Sequence, residues 1–160
     1  MDLLARMKHL SVATSVNTLD DNFRRDMDQA SSIPERLETL KTLHEHGIYT
    51  ILFMLPIFLH ITDWQAIIET TNEYISEYWF EDLNLRGGYK SVILDYVREK
   101  YPDVYPSYSR LHEQGDRMEI TLMENAIRSY CDMNSINYSD YFHHEKVISD
   151  PKNKVLGKAR

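Results

Sequence analysis

Three strand-like runs of this chain end in polar side chains that are suited to ligand binding. Hydroxyl and amide groups both donate and accept hydrogen bonds, and the guanidinium fork of arginine suits a carboxylate or a phosphate. In parallel α/β folds, ligands bind at the carboxyl ends of the strands. The sequence therefore predicts a site for a polar ligand built from three groups of residues: Ser15, Asn17 and Thr18; Pro56 to His60; and Asp82, Asn84 and Arg86.

Predicted helices separate the three runs, which are Ser11–Thr18, Ile48–Phe58 and Tyr78–Arg86. Each of the two intervening helices begins at a capping box, Ser32-x-x-Glu35 and Thr62-x-x-Gln65. The middle run is almost continuously apolar, as expected of a strand buried on both faces. This alternation of strand and helix predicts an α/β fold in which parallel strands are joined by right-handed crossovers.

The rest of the chain is predicted to be mostly helical. Hydrophobic residues at helical spacing indicate helices over Met1–Leu10, Ser91–Tyr101 and Arg117–Met133, and a short extended segment over Asn137–His143. Cys131 lies on the last of these helices, where a small buried apolar role is expected.

Alternation along the third run places Asp82, Asn84 and Arg86 on one face. Trp79, Leu83 and Leu85 share the other face. If the apolar face meets the helices, the polar face points to the concave side of the sheet. A second interpretation is that Asp82 and Arg86 simply form an ion pair at the strand end, and the pattern alone leaves both interpretations open.

Composition indicates one globular domain without a general nucleic-acid surface. The chain has 160 residues, 42% of them hydrophobic and 27% charged, and a net charge of −7. The charge is uneven, because residues 146–160 carry five cations and one acid. We expect this segment to be a flexible basic tail, with contact to RNA or DNA as the less favoured hypothesis.

A single cysteine, Cys131, excludes an internal disulfide and a four-cysteine zinc or iron–sulfur site. It also favours a cytoplasmic protein. Met1–Lys8 lacks the pattern of a signal peptide, and the longest apolar stretch, Ile48–Ile61, is too short to span a bilayer. No membrane association is expected.

Several segments resemble the radical S-adenosylmethionine (SAM) superfamily, in its spore photoproduct lyase-like branch. The segments Thr14–Phe23, Ser31–Glu38 and Pro56–Asp63 resemble the middle of its barrel. Tyr78–Lys90, with the sequence Tyr-Trp-Phe-Glu-Asp-Leu-Asn-Leu-Arg-Gly-Gly-Tyr-Lys, is similar to one subgroup in particular, the radical SAM mobile pair protein B. Tyr141–Glu145 is similar to the terminal segment of that subgroup.

The resemblance implies the C-terminal half of a partial (βα)6 TIM-type barrel over residues 1–145. Full-length members hold a 4Fe–4S cluster and SAM, whose reductive cleavage gives a 5′-deoxyadenosyl radical that abstracts a substrate hydrogen. By the same resemblance, the SAM-binding residues of this chain are Ser15, Asn17, Pro56, Asn84 and Arg86.

Two departures from the family pattern point to a truncated or split protein that is inactive alone. The Cys-x3-Cys-x2-Cys loop that holds the cluster is missing, so no cluster is expected on this chain. The usual Pro-Gly after the fifth strand is Leu59-His60, which we expect to reshape the turn or crowd the SAM adenine.

Three alternatives remain beside a split radical SAM protein. The first is a non-catalytic interaction module that self-associates or binds a protein partner through its exposed sheet. The second is an intact flavodoxin-like domain, which needs more strands than the sequence offers. The third is a metal site at His143-His144-Glu145, although adjacent histidines on a strand point to opposite faces.

Overall fold

The computed structural model of the chain describes residues 7, 9–85 and 87–142. Several predictions concern residues outside this part of the chain. They are most of the helix expected over Met1–Leu10, the candidate ligand-binding residue Arg86, the His143-His144-Glu145 segment, and the basic tail over residues 146–160.

The core of the fold is a four-stranded parallel sheet in which the strands follow the order of the chain. The strands are β1 (Ser11–Ser15), β2 (Tyr49–Ile57), β3 (Glu77–Asp82) and β4 (Tyr138–Asp140). β1 pairs with β2, β2 with β3, and β3 with β4, all in parallel. The predicted α/β class, parallel pairing and extended segment near Asn137 are therefore confirmed, although the first and third strands end earlier than expected.

Six helices lie between these strands in the described part of the chain. They are α1 (Asp21–Met27), α2 (Ile33–Glu45), α3 (Trp64–Thr71), α4 (Tyr89–Lys100), α5 (Tyr105–Gln114) and α6 (Met118–Met133). The sequence predicts α2, α3, α4 and α6 but misses α1 and α5. Both missed helices are short, and α5 has proline in its first turn.

Local sequence explains why α2 begins and ends where it does. The Ser32 backbone N–H donates to Glu35 Oε2 over 2.9 Å, and the Glu35 N–H donates to Ser32 Oγ over 3.5 Å, so the predicted capping box is confirmed. Gly47 follows the helix with φ of 75°, a left-handed conformation that glycine adopts without a steric penalty.

The cap of α3 differs from the prediction by one residue. Asp63, not Thr62, caps this helix, because Asp63 Oδ1 accepts from the Ala66 N–H over 3.0 Å. The Thr62 hydroxyl is used elsewhere: it accepts from the Phe58 N–H and donates to the Asn17 carbonyl over 2.9 Å. This buried threonine thus ties the turn after β2 to the end of β1.

One face of the sheet packs against helices. Side chains from α2, α3 and α6 meet alternate residues of the strands in a continuous apolar cluster. Its fully buried members include Leu40 and Ile67 from the helices and Leu52, Met54 and Phe80 from the strands. Cys131 of α6 is also completely buried in this cluster, so its expected apolar role is confirmed.

The opposite face of the sheet carries no helix among the described residues. Two clusters of packed apolar side chains include helix residues, and neither contains Phe53 or Trp79, the large aromatic side chains of this face. Right-handed crossovers between strands in sequential order place every connecting helix on the same side. We call this uncovered side the open face.

The predicted faces of the third strand are wrong. β3 ends at Asp82, and Tyr78, Phe80 and Asp82 are buried on the helix side, whereas Trp79 lies on the open face. The prediction depended on Leu83 and Leu85, which follow the strand and pack against the second apolar cluster near α4 and α5. Tyr78 and Phe80 bury the larger apolar surface, and they decide which face meets the helices.

Within the described ranges, no helix combines the length and the apolar character that a bilayer span requires.

Arg36 of α2 is predicted to be the main polar support of β1. Its buried guanidinium contacts both carboxylate oxygens of Asp28 over 2.9 and 3.0 Å and donates to the Ser15 carbonyl over 3.0 Å. Arg36→Leu removes a donor from the Ser15 carbonyl and from Asp28, whose Oδ1 still accepts from the Ala30 N–H, so it should lower the free energy of unfolding by about 1–3 kcal/mol. Urea denaturation measures the change.

Arg25→Leu is the matched control. Arg25 forms an exposed pair with Asp21 over 2.9 Å, so its loss should change the free energy of unfolding by about 1 kcal/mol or less. Equal effects of the two substitutions would contradict the structural role of Arg36.

Candidate functional site

The structure brings three of the five predicted ligand-binding residues together at the carboxyl ends of β1 and β2. Asn17 Nδ2 donates to the Pro56 carbonyl over 3.2 Å, and Ser15 lies two residues earlier on β1 with an exposed side chain. The Asn17 carbonyl also accepts from Thr62. Asn17 therefore joins two strand ends, which is a structural task in addition to any role in binding.

Asn84 lies apart from these three residues. It is exposed and follows the end of β3, two strands away from β1, and strands in a sheet are about 4.8 Å apart. Arg86 belongs to the undescribed part of the chain. The four described residues thus share the carboxyl edge of the sheet, but Ser15, Asn17 and Pro56 form one group and Asn84 lies at some distance along that edge.

The open face below this edge is aromatic at its centre. Phe53 of β2 stacks on Trp79 of β3 with ring centroids 4.8 Å apart, and Tyr141 contacts the same indole at 5.6 Å. The Trp79 indole N–H is buried and has no hydrogen-bond acceptor among the described residues. A buried donor without an acceptor is unfavourable, so the described residues do not satisfy every hydrogen-bonding group of this face.

Two carboxylates of β3, Glu77 and Glu81, lie on the open face beside these rings. Glu77 accepts from the Tyr49 hydroxyl over 3.2 Å and from the Ser139 hydroxyl over 2.8 Å, which fixes it across three strands. Glu81 lies at the carboxyl end of the strand and lines a cavity of about 300 Å³.

Asp82 also lines the cavity next to Glu81, although the two side chains leave β3 on opposite faces. Asp82 is buried, and its Oδ2 accepts from Arg117 Nη2 over 2.8 Å; the same nitrogen donates to the Phe142 carbonyl over 3.2 Å. Asp82 therefore pairs with an arginine 35 residues away, and its predicted pairing with Arg86 stays a prediction because Arg86 lies outside the described residues.

His112, at the end of α5, lines the same cavity. Its Nε2 atom is buried without a hydrogen-bond partner among the described residues. Burial and the nearby ammonium of Lys90 lower the pKa of the imidazole below its usual value, and Asp82 opposes the shift only in part. The imidazole ring of His112 is therefore mostly uncharged at neutral pH.

A second polar cluster surrounds His60, in the turn after β2. His60 Nε2 lies 2.6 Å from Glu119 Oε2, and Arg110 donates to the other oxygen of this carboxylate. These two partners lower the pKa of Glu119 to about 2. His60 itself has φ of 59°, a left-handed conformation for which glycine is suited. The expected reshaping of the turn relative to the family pattern stays a prediction.

Sequence reasoning misses Trp79, His112 and Arg117 as members of a site. Trp79 is assigned to the helix side. His112 lies on α5 and Arg117 directly precedes α6, and the approach of both helices to β3 depends on long-range packing. The alternation of Tyr78, Phe80 and Asp82 is the one sequence signal that would have placed Trp79 on the open face. In the described ranges, no three His, Cys, Asp or Glu side chains are grouped to hold a metal ion.

Substitutions at His60 test whether the left-handed backbone conformation of this residue lowers the stability of the protein. Alanine keeps the unfavourable φ and loses the contact with Glu119, whereas glycine loses the contact but relieves the backbone. We expect His60→Ala to be less stable than His60→Gly by about 1 kcal/mol in urea denaturation.

The same pair of substitutions at His44 is the control. His44 is exposed within α2, where glycine is about 1 kcal/mol less favourable than alanine, so the order of stability should reverse. The same order at both positions would contradict the left-handed conformation of His60.

The chain matches no protein-family model and no solved structure. It is similar to an uncharacterized protein of Methanocaldococcus jannaschii, with 32% identity over 106 residues. The match covers 66% of this chain and 40% of the relative, so the chain spans well under half of the relative's length.

Proposed function

We propose that this chain is the C-terminal half of a partial (βα)6 TIM-type barrel of the radical SAM type, from a truncated or split protein. It contributes strand ends to a SAM- and substrate-binding cleft and is not catalytic alone. The observation that carries the proposal is the one-sided parallel sheet, with helices on one face and the stacked Phe53 and Trp79 rings on the other.

A closed barrel of alternating strands and helices explains this one-sidedness. Its helices form an outer ring, and its inner face is filled by side chains from all the strands. A four-stranded segment of such a barrel has an outer face covered by its own helices and an inner face that needs the missing strands. Parallel sheets are otherwise found covered on both faces.

The strand ends suit the polar groups of a nucleoside such as SAM only in part. The exposed Ser15 hydroxyl is available for a hydrogen bond at the edge of the open face. Asn17 retains its side-chain carbonyl oxygen, because the Asn17 contact with Pro56 uses Nδ2. Asn84 is exposed at the end of β3. When bound, SAM supplies the cleavable bond, and these residues would position it.

The chain does not suit the iron–sulfur cluster. Cys131 is completely buried among apolar side chains of the helix layer, and desolvation raises the pKa of its thiol to about 11. A thiolate ligand is therefore disfavoured at this position. In this proposal a second polypeptide provides the cluster and the first β–α units, and the single buried cysteine is consistent with a cytoplasmic protein.

Reconstitution tests the proposal. A polypeptide that carries the N-terminal half of the barrel, with the Cys-x3-Cys-x2-Cys loop, is mixed with this chain under reducing conditions. We expect cluster-dependent cleavage of SAM, measured as 5′-deoxyadenosine, that neither polypeptide shows alone.

Ser15→Ala should weaken SAM binding by about 3- to 10-fold, the effect of one lost hydrogen bond.

Ser11→Ala is the control in this experiment. Ser11 is on the same strand and the same face as Ser15, but at the amino end, away from the ligand edge. Its substitution should leave SAM binding unchanged. No cleavage in the mixture, with both polypeptides folded, would contradict the split-enzyme proposal.

A non-catalytic interaction module is the second candidate function. The open face and the unpaired edge of β1 both favour contact with another polypeptide, including a second copy. In this case the chain should self-associate without the N-terminal half. The exposed Tyr49 lies on the open face, so Tyr49→Ser should lower the average mass measured by light scattering across a concentration series.

Tyr89→Ser is the matched control, because Tyr89 is exposed at the start of α4, away from the sheet. It should not change the association. A wild-type chain that stays a monodisperse monomer would contradict this second candidate.

A further inference from the structure

The cavity beside Asp82 lies apart from the Ser15–Asn17–Pro56 group, and described residues of this chain form walls around it. Its walls come from the end of β3, the end of α5, the start of α6 and the residue Phe142. The volume of about 300 Å³ is at the lower end of the range for small-molecule sites. Leu83, Leu111 and Phe142 give it apolar walls.

The unused hydrogen-bonding capacity of this cavity consists largely of acceptors. Asp82 is 7% exposed, and its contact with Arg117 uses Oδ2, which leaves Oδ1 without a described partner. Glu81 adds a second carboxylate with no described ion pair or hydrogen bond. Carboxylates accept hydrogen bonds but do not donate them when ionised, so a complementary ligand must bring donors.

His112 adds a third group, an imidazole whose Nε2 nitrogen is free to take a new partner. Because Nε2 makes no hydrogen bond in the described chain, turning the ring toward a ligand breaks none. The ring is uncharged at neutral pH for the reasons given above. Among the described lining residues there are two carboxylates, the cation Arg117 and a neutral imidazole, which is a net charge of −1 for this part of the chain.

We propose that this cavity binds a small organic monocation that presents N–H donors, such as an amidinium or a primary ammonium group. The donors reach Glu81 and the free oxygen of Asp82, and the body of the ligand lies against the apolar walls. Charge-assisted hydrogen bonds to carboxylates are stronger than neutral ones, and an amidinium offers two parallel donors. The inference does not depend on the barrel proposal, since the second polypeptide contributes nothing to it.

Three ligands of nearly equal shape test the charge and the donors separately. Benzamidine is a cation with donors only, benzamide is neutral, and benzoate is an anion with acceptors only. Titration calorimetry of the full chain should show benzamidine binding at least tenfold tighter than benzamide, and no binding of benzoate. Equal affinities, a preference for benzoate, or no binding of any of the three would overturn the proposal.

Two substitutions on the same strand face locate the site. Glu81→Gln should weaken benzamidine binding about tenfold, as expected when a charged hydrogen-bond acceptor becomes neutral. Glu77→Gln is the control, because Glu77 lies four residues earlier on the same face and does not line the cavity. Unchanged binding in Glu81→Gln, or an equal loss in Glu77→Gln, would place benzamidine elsewhere and overturn the assignment.

The binding should also weaken in acid. The charged groups that face His112 are Lys90, Asp82 and Arg117. The lowered pKa means that the ring gains its proton only below the usual range for histidine, and the resulting positive charge repels a cation. Benzamidine should therefore bind more weakly at pH 5 than at pH 7.5, and His112→Gln should remove much of this difference. A pH dependence that His112→Gln leaves intact would contradict the role of this ring.

Discussion

The handedness of the connections between parallel strands is the constraint on which the rest of this structure depends. The four strands lie in sequential order, and crossovers between parallel strands are almost always right-handed, which places all the connecting helices on one side. Leu52, Met54 and Phe80 then form a core with the helices. Phe53 and Trp79 are left half-buried on the other side, where covering the remaining apolar surface would add hydrophobic stabilisation, less than the roughly 1.5–3 kcal/mol of a fully exposed side chain. The proposed barrel and the alternative interaction module are two ways of obtaining that stabilisation.

The same topology places the polar strand ends at one edge of the sheet. Long-range contacts then make the end of β1 and the end of β3 two separate regions of that edge. Arg36 and Thr62 fix the end of β1 from the helix side and from the turn after β2. Arg117 holds Asp82 at the end of β3. One edge of the sheet therefore carries an exposed hydroxyl and amide group at β1 and an acidic cavity at β3. These two regions have different chemistry and are suited to different ligands.

Much of the fold could be predicted from local signals, and most of the candidate site could not. The apolar run of the second strand, the capping box at Ser32 and the glycine at position 47 act within a few residues, and the structure confirms them. The faces of β3 and the partner of Asp82 depend on residues far away in the chain. Leu83 and Leu85 suggested one face, but they lie beyond the end of the strand. Arg117, 35 residues from Asp82, reaches it only because α6 packs across the sheet.

Cysteine accessibility in the central strand β2 tests the one-sided sheet most directly, because the single native thiol of Cys131 is completely buried. Phe53→Cys places a thiol on the open face, and Met54→Cys places one on the helix side, at a residue that is fully buried. The account predicts rapid modification of Phe53→Cys by a maleimide under native conditions, with Met54→Cys reacting only as fast as the protein unfolds. Equal protection of the two thiols in the monomeric protein would show that both faces are covered and would contradict the account.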